Sequence, residues 1–179
     1  YEIEAELIHE FIRNRSRGFA YTPIIAARNN AYVLHYTENN QELKDGDLLL
    51  IDAGCEINGY ASDITRTFPV NGKFSEAQKE IYDVVLNAQK SAINSIKPGV
   101  SSNKPHETAC EIITNGLIKL GIMKSAEDLT KFYMHNTGHW LGLDVHDVGS
   151  KLINDEFREF KNGMVTTVEP GIYIRRDDK

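Results

Sequence analysis

The stretch LLLIDAGCEINGYASDITRTFPV, Leu48 to Val70, decides how this chain begins to fold. A continuous apolar run of four opens it, and alternating residues flank Asn58-Gly59, a pair suited to the left-handed backbone of a two-residue hairpin turn. The pattern predicts two antiparallel strands joined at Asn58-Gly59. With those residues as the loop, Asp52 stands opposite Thr65 and Asp63 opposite Gly54. Side chains alternate along a strand, so Asp52 and Asp63 share a face as diagonal neighbours, on the order of 7 Å apart or less. Two carboxylates that close repel each other unless a proton or a cation lies between them. The alternative is that Asp52 closes a strand and Asp63 caps a turn. Against it, Asp52 follows four apolar residues, where a charge at the end of a buried strand needs compensation.

Working outward, YEIEAELIHEFIRN at the start places Ile3, Leu7, Ile8 and Phe11 at helical spacing, with glutamates at the positive end of the helix dipole. This predicts a surface helix with one buried stripe. The aromatic and β-branched FAYTPIIAARNNAYVLHY predicts an extended piece, a turn at Asn29-Asn30 and a short strand ending near His35. From Ser75, a natural N-cap, to Ile96, the residues Ala77, Ile81, Val84, Val85, Ala88 and Ile93 mark a helix. A second helix is expected from Pro105 to Leu120, with Ile112, Ile113, Leu117 and Leu120 apolar and Gly121 just past its end. From Phe132 onward the chain reads as strands separated by glycine turns, closing on the charged tail of YIRRDDK.

Composition excludes several classes of function. A chain of 179 residues that is 41% hydrophobic suits one globular domain with a proper core. Net charge −6, without a basic stripe, argues against nucleic acid as a partner. Cys55 and Cys110 form neither a disulfide framework nor a CxxC zinc pair, which points to a reducing compartment, the cytoplasm. No apolar run approaches the roughly 18 to 20 residues that span a bilayer, so no membrane partner is expected. The chain opens on Tyr1 directly in an amphipathic pattern, as though cut from something longer.

The other informative stretch is MHNTGHWLGLDVHDVG, Met134 to Gly149, with three of the six histidines: His135, His139 and His146. Gly138 and Gly142 disfavour a helical i, i+4 clamp, and the glutamate of an HExxH zinc site is absent. On an extended chain His135 and His139 share a face, while His146 joins them only through a bend, for which Gly142 is the natural place. Glu169, in MVTTVEPGIYI, ends an apolar strand just before Pro170 and Gly171. Carboxylates with one imidazole suit a hard or borderline divalent ion such as Mn2+.

The run HNTGHWLGLDVHD, with LLLIDAG, ASDITRTFPV and VEPGIY in the same order, closely resembles the catalytic domain of Xaa-Pro aminopeptidases (aminopeptidase P). These belong to the pita-bread metallopeptidases, together with prolidase and methionine aminopeptidase. The resemblance runs from about Ile3 to Ile174. It implies an α+β fold in which helices cover a curved antiparallel sheet. It also implies a centre of two divalent metal ions, Mn2+ foremost and Co2+ or Zn2+ as alternatives, with Asp52, Asp63, His139 and Glu169 as four of five ligands and Asp63 bridging. Glu169, His146 and His35 match the catalytic, proton-handling positions. His135 matches a substrate-binding histidine, and Tyr173 falls near the proline pocket. The family's fifth ligand, a second bridging glutamate, sits on a later strand with an IRIED-like motif. Residues 1–179 are therefore expected to be a metallopeptidase catalytic domain, incomplete at its C-terminus and without the family's N-terminal domain. The expected activity is release of the N-terminal residue from peptides with proline second, by a homo-oligomeric parent. The alternatives are a prolidase acting on Xaa-Pro dipeptides and a non-catalytic peptide-binding module.

Overall fold

The computed structural model describes residues 1–175, and these form two compact units. The expected charged tail beyond Arg175 lies outside the described residues. The first unit holds Tyr1–Ser75 and Leu141–Asp147, and the second holds Glu76–Trp140 and Val148–Ile174.

In the first unit, α1 (Glu2–Arg13) carries Glu2 and Glu4 in its first turn and Arg13 in its last, both favourable to the helix dipole. Its expected apolar stripe is only half buried, because none of its residues is fully enclosed. Three strands, β1 (Ile24–Ala27), β2 (Leu48–Ala53) and β5 (Ile64–Pro69), form an antiparallel sheet in the order β1-β2-β5. Between them lies the short ladder of β3 (Glu56–Ile57) and β4 (Tyr60–Ala61). The hairpin forms with the expected register: Asp52 faces Thr65, and Asn58 and Gly59 turn it with φ of 55° and 85°. Those paired positive φ values fit a type I′ turn, whose twist matches that of the flanking strands.

The expected strand ending near His35 does not form. Arg28–Tyr32 is a 3-10 turn, entered with Arg28 at φ 57°, and His35 follows it in an exposed loop. The cause is the buried Asn39, which occupies the space beside β1. Its side chain accepts from the Ile25 amide at 2.9 Å and donates to the Pro23 carbonyl at 3.0 Å. A side chain satisfies the backbone there, so no second strand is required.

In the second unit α2 (Glu76–Ser95) and α3 (Lys104–Lys119) pack together, with Pro105 in the first turn of α3 and Gly121 beyond its end at φ 70°. Ala88, Ala92, Ala109, Ile113 and Leu117 are fully enclosed, together with Met123, Phe132 and Tyr133. Small residues bring the helices close. A Cβ on Gly116 would lie 2.6 Å from Val84 Cγ1. Two residues assigned to the apolar face of α2 point outward: Ala77 is exposed, and Ile93 is 49% exposed. The fully buried residues of α2 are Ala88, as expected, and Ala92, and the expected Ile81 and Val84 pack against the same core.

The region after Phe132 departs most from expectation. One helical turn, α4 (Leu129–Phe132), leads into it, and among the described residues its regular strands are the two-residue β6 (Leu152–Ile153) and β7 (Glu156–Phe157). Asn154 and Asp155, at φ 52° and 63°, turn that hairpin in place of glycine. The remainder is irregular backbone held by local contacts.

Candidate active site

Within the first unit, β2 carries Asp52, and Asp63 immediately precedes β5. The pairing of β2 with β5 stops at Ala53 and Ile64, and the Ser62 amide reaches the Cys55 carbonyl at 3.0 Å. A Cβ on Gly54 would stand 1.7 Å from the Ser62 carbonyl oxygen, so the strands close around a residue with no side chain. As the alternation predicts, the two aspartates converge, and they do so on one hydroxyl. Tyr21 Oη lies 2.5 Å from Asp52 Oδ1 and 3.0 Å from Asp63 Oδ1.

A phenol has one hydrogen and cannot donate fully to two carboxylates. Burial first, then the hydrogen bond to Asp52 and the charges of both aspartates, push the Tyr21 phenol up, so it remains a donor. Sequence reading missed Tyr21, which lies 31 and 42 positions from its partners without any periodic signal to join them. Replacing Tyr21 by Phe is expected to lower the stability of the metal-free protein by about 1–3 kcal/mol, the range for losing a hydrogen bond to a charged group. Urea denaturation at neutral pH measures it. An unchanged midpoint would show that the hydroxyl does not hold the pair.

In the second unit His139 and Glu169 belong to two extended segments that pair side by side. The Thr167 amide donates to the His139 carbonyl at 2.9 Å, the Glu169 amide donates to the Thr137 carbonyl at 2.7 Å, and Trp140 bridges Thr166. This pairing sets His139 Nε2 3.2 Å from Glu169 Oε1. The other ring nitrogen, Nδ1, lies 2.9 Å from the Trp140 carbonyl. A carbonyl only accepts, so Nδ1 carries a hydrogen, and Nε2 is the nitrogen turned toward Glu169. Glu169 Oε1 also accepts from Thr167 Oγ1 at 2.7 Å. An imidazole lone pair facing a carboxylate calls for a second ring proton or a cation.

Also in the second unit, His135 Nδ1 lies 2.8 Å from the Asn136 carbonyl and His135 Nε2 lies 3.0 Å from Tyr173 Oη. The ring is bracketed edge to face by Tyr133 and Tyr173 at centroid distances of 5.0 and 5.5 Å. Gly171 makes room for Tyr173, since a Cβ there would lie 3.0 Å from its ring. His135 and Tyr173, each matched to substrate-binding positions by the resemblance, are in direct contact. His146 sits in the first unit, in an exposed stretch after a bend at Gly142, where a Cβ would meet the Asp147 carboxylate at 2.2 Å. That is where the sequence placed the bend.

The model for metallopeptidase family M24 matches residues 1–179. The chain belongs to metallopeptidase family M24. It is 55% identical to Xaa-Pro aminopeptidase from Haemophilus influenzae over 99% of its own length, and spans 43% of that protein. It superposes on the structure of Pseudomonas aeruginosa aminopeptidase PepP with a TM-score of 0.96 and 52% identity, covering 99% of this chain and 42% of that one. A Zn-substituted Escherichia coli aminopeptidase P in complex with product gives a TM-score of 0.95 at 49% identity, over 100% of this chain and 42% of that one. The chain thus spans less than half the length of these relatives. The α+β, pita-bread expectation holds for this M24 chain. A divalent metal accords with family membership and with the carboxylate and imidazole donors described above. No helix among the described residues is long and apolar enough to cross a membrane.

Proposed function

We propose that the protein carrying this chain is a metal-dependent aminopeptidase that releases the N-terminal residue from peptides with proline in second position. The observation that best supports this is His139, whose Nε2 lies 3.2 Å from Glu169 Oε1 while its Nδ1–H donates to the Trp140 carbonyl at 2.9 Å. Such an outer-shell bond is the usual companion of a metal-ligating histidine. In this reading Asp52, Asp63, His139 and Glu169 hold two divalent ions, Mn2+ by preference, with Asp63 between them. An oxygen-rich set with one imidazole and no thiolate favours such an ion. When bound, the ions polarise the carbonyl before proline and lower the pKa of water toward neutrality.

The side chains supply the rest. Glu169, its Oε1 steadied by Thr167, accepts a proton through its other oxygen. His135, between two tyrosines, faces the substrate, and Tyr173 borders the proline ring. His35 and His146 stabilise the developing oxyanion or protonate the leaving imino group. Residues 1–179 act as the catalytic domain, in a cytoplasmic protein, and the scarcity of cysteine supports that compartment.

The decisive experiment offers the Mn2+-loaded protein an Xaa-Pro dipeptide and a longer Xaa-Pro-Xaa peptide. Cleavage of the longer peptide after its first residue is expected. Activity confined to the dipeptide would make the enzyme a prolidase instead, and binding without turnover of either would leave only a peptide-binding module.

A further inference from the structure

Behind His135, on the same unit, lies a buried polar chain that the peptidase chemistry does not use. Thr137, 2% exposed, has its hydroxyl 2.5 Å from Tyr133 Oη and 3.0 Å from His106 Nδ1. Tyr133 is itself 3% exposed. His106, on α3, lies with Nε2 3.5 Å from Cys110 Sγ, and His106 and Thr137 both line a cavity of about 260 Å3.

The hydrogens in this chain can be assigned by satisfaction. Thr137 is the hydrogen-bond partner of the Tyr133 hydroxyl among the described residues, so that buried hydroxyl must donate to it. Thr137 then turns its own hydrogen to His106 Nδ1, which must be bare, and the ring hydrogen sits on Nε2 toward Cys110. The chain runs one way, from Tyr133 through Thr137 to His106. A proton on Nδ1 would make that nitrogen a second donor to Thr137 and leave the Thr137 hydrogen without its acceptor in the core. The end that matters to the substrate is Tyr133, whose ring stands at 88° to His135 with centroids 5.0 Å apart.

We propose that His106, acting through Thr137, is a positioning residue of the peptidase site: the directed chain fixes the Tyr133 ring, and the Tyr133 ring fixes the His135 imidazole that receives substrate. The inference rests on His135 meeting substrate, as proposed above. Burial, followed by the charges of Lys151 and His135, holds the His106 imidazole below its usual range, while Glu107 opposes this. Together with Cys110 and Tyr133, these are the titratable groups around it. The sign follows. The chain is intact above the lowered His106 value and loses its Thr137-to-His106 bond as pH falls through it.

Thr137→Val keeps the volume and deletes both hydrogen bonds. In the metal-loaded protein it is expected to raise KM for an Xaa-Pro-Xaa peptide about tenfold, as the loss of satisfied buried hydroxyls implies, with kcat and metal content within about twofold of wild type. Thr137→Ser should restore KM. KM of the wild type is expected to rise on acidification, and that rise should disappear in His106→Leu, which removes the acceptor and also serves if the valine variant does not fold. An unchanged KM in both variants overturns the proposal, as does a fall in kcat, metal content and stability together that serine does not rescue. If the wild type itself fails to cleave the peptide, the peptidase reading has failed first, and the two failures are separable.

Discussion

Asp63→Ala is expected to reduce turnover of an Xaa-Pro-Xaa peptide by on the order of a thousandfold, about 4 kcal/mol of transition-state stabilisation. The reason is electrostatic. Asp52 and Asp63 share the hydrogen of Tyr21, and in the proposed centre Asp63 neutralises charge from two ions at once. Without it, Asp52 keeps Tyr21 to itself and the proposed metal centre would lose one of its carboxylates. Atomic absorption on the purified variant should therefore show metal content reduced along with activity. The Asp63→Asn variant separates charge from shape: it fills the same space and should bind metal nearly as poorly. Full activity with full metal content in the alanine variant would remove Asp63 from the site.

The second large effect is structural. Gly138 allows the His139 segment to lie against the Glu169 segment, because a Cβ there would stand 2.0 Å from the Thr167 carbonyl oxygen and 2.9 Å from its carbon. The obstacle is backbone, which cannot rotate aside as a side chain does. In Gly138→Ala the segments must part, breaking the bond from the Thr167 amide to the His139 carbonyl and pulling His139 away from Glu169. The expected cost is about 3–5 kcal/mol, the range in which buried strain and lost backbone hydrogen bonds add. It would be read as a lower midpoint in urea with the slope unchanged. A variant with the wild-type midpoint would show that the two segments tolerate separation.

Legibility from the sequence tracked the distance over which each feature is encoded. The hairpin at Asn58-Gly59 was readable to the residue because turn chemistry and alternation lie within a few positions of each other. The two long helices were equally plain, although their packed faces were not. Ile93 fits the periodicity and yet is exposed, while Ala88 and Ala92 are the residues of that helix fully enclosed against the core. The segment around His35 misled because a buried asparagine, not a strand, satisfies the backbone there. After Phe132 the apolar runs suggested regular strands, whereas the chain is held by single bridges such as Trp140 to Thr166.

By itself the sequence determined the kinds of ligand available, the antiparallel register that puts Asp52 and Asp63 on one face, and the bend at Gly142. These depend on backbone preferences and on the two-residue period of a strand, both local. The tertiary structure alone decided that Tyr21 bridges the aspartates and that Thr137 reaches His106. Each of these is a short polar contact across many residues of chain. Such contacts are fixed by close packing through glycine-sized gaps and by the need to satisfy every buried donor, and neither condition leaves a period in the sequence.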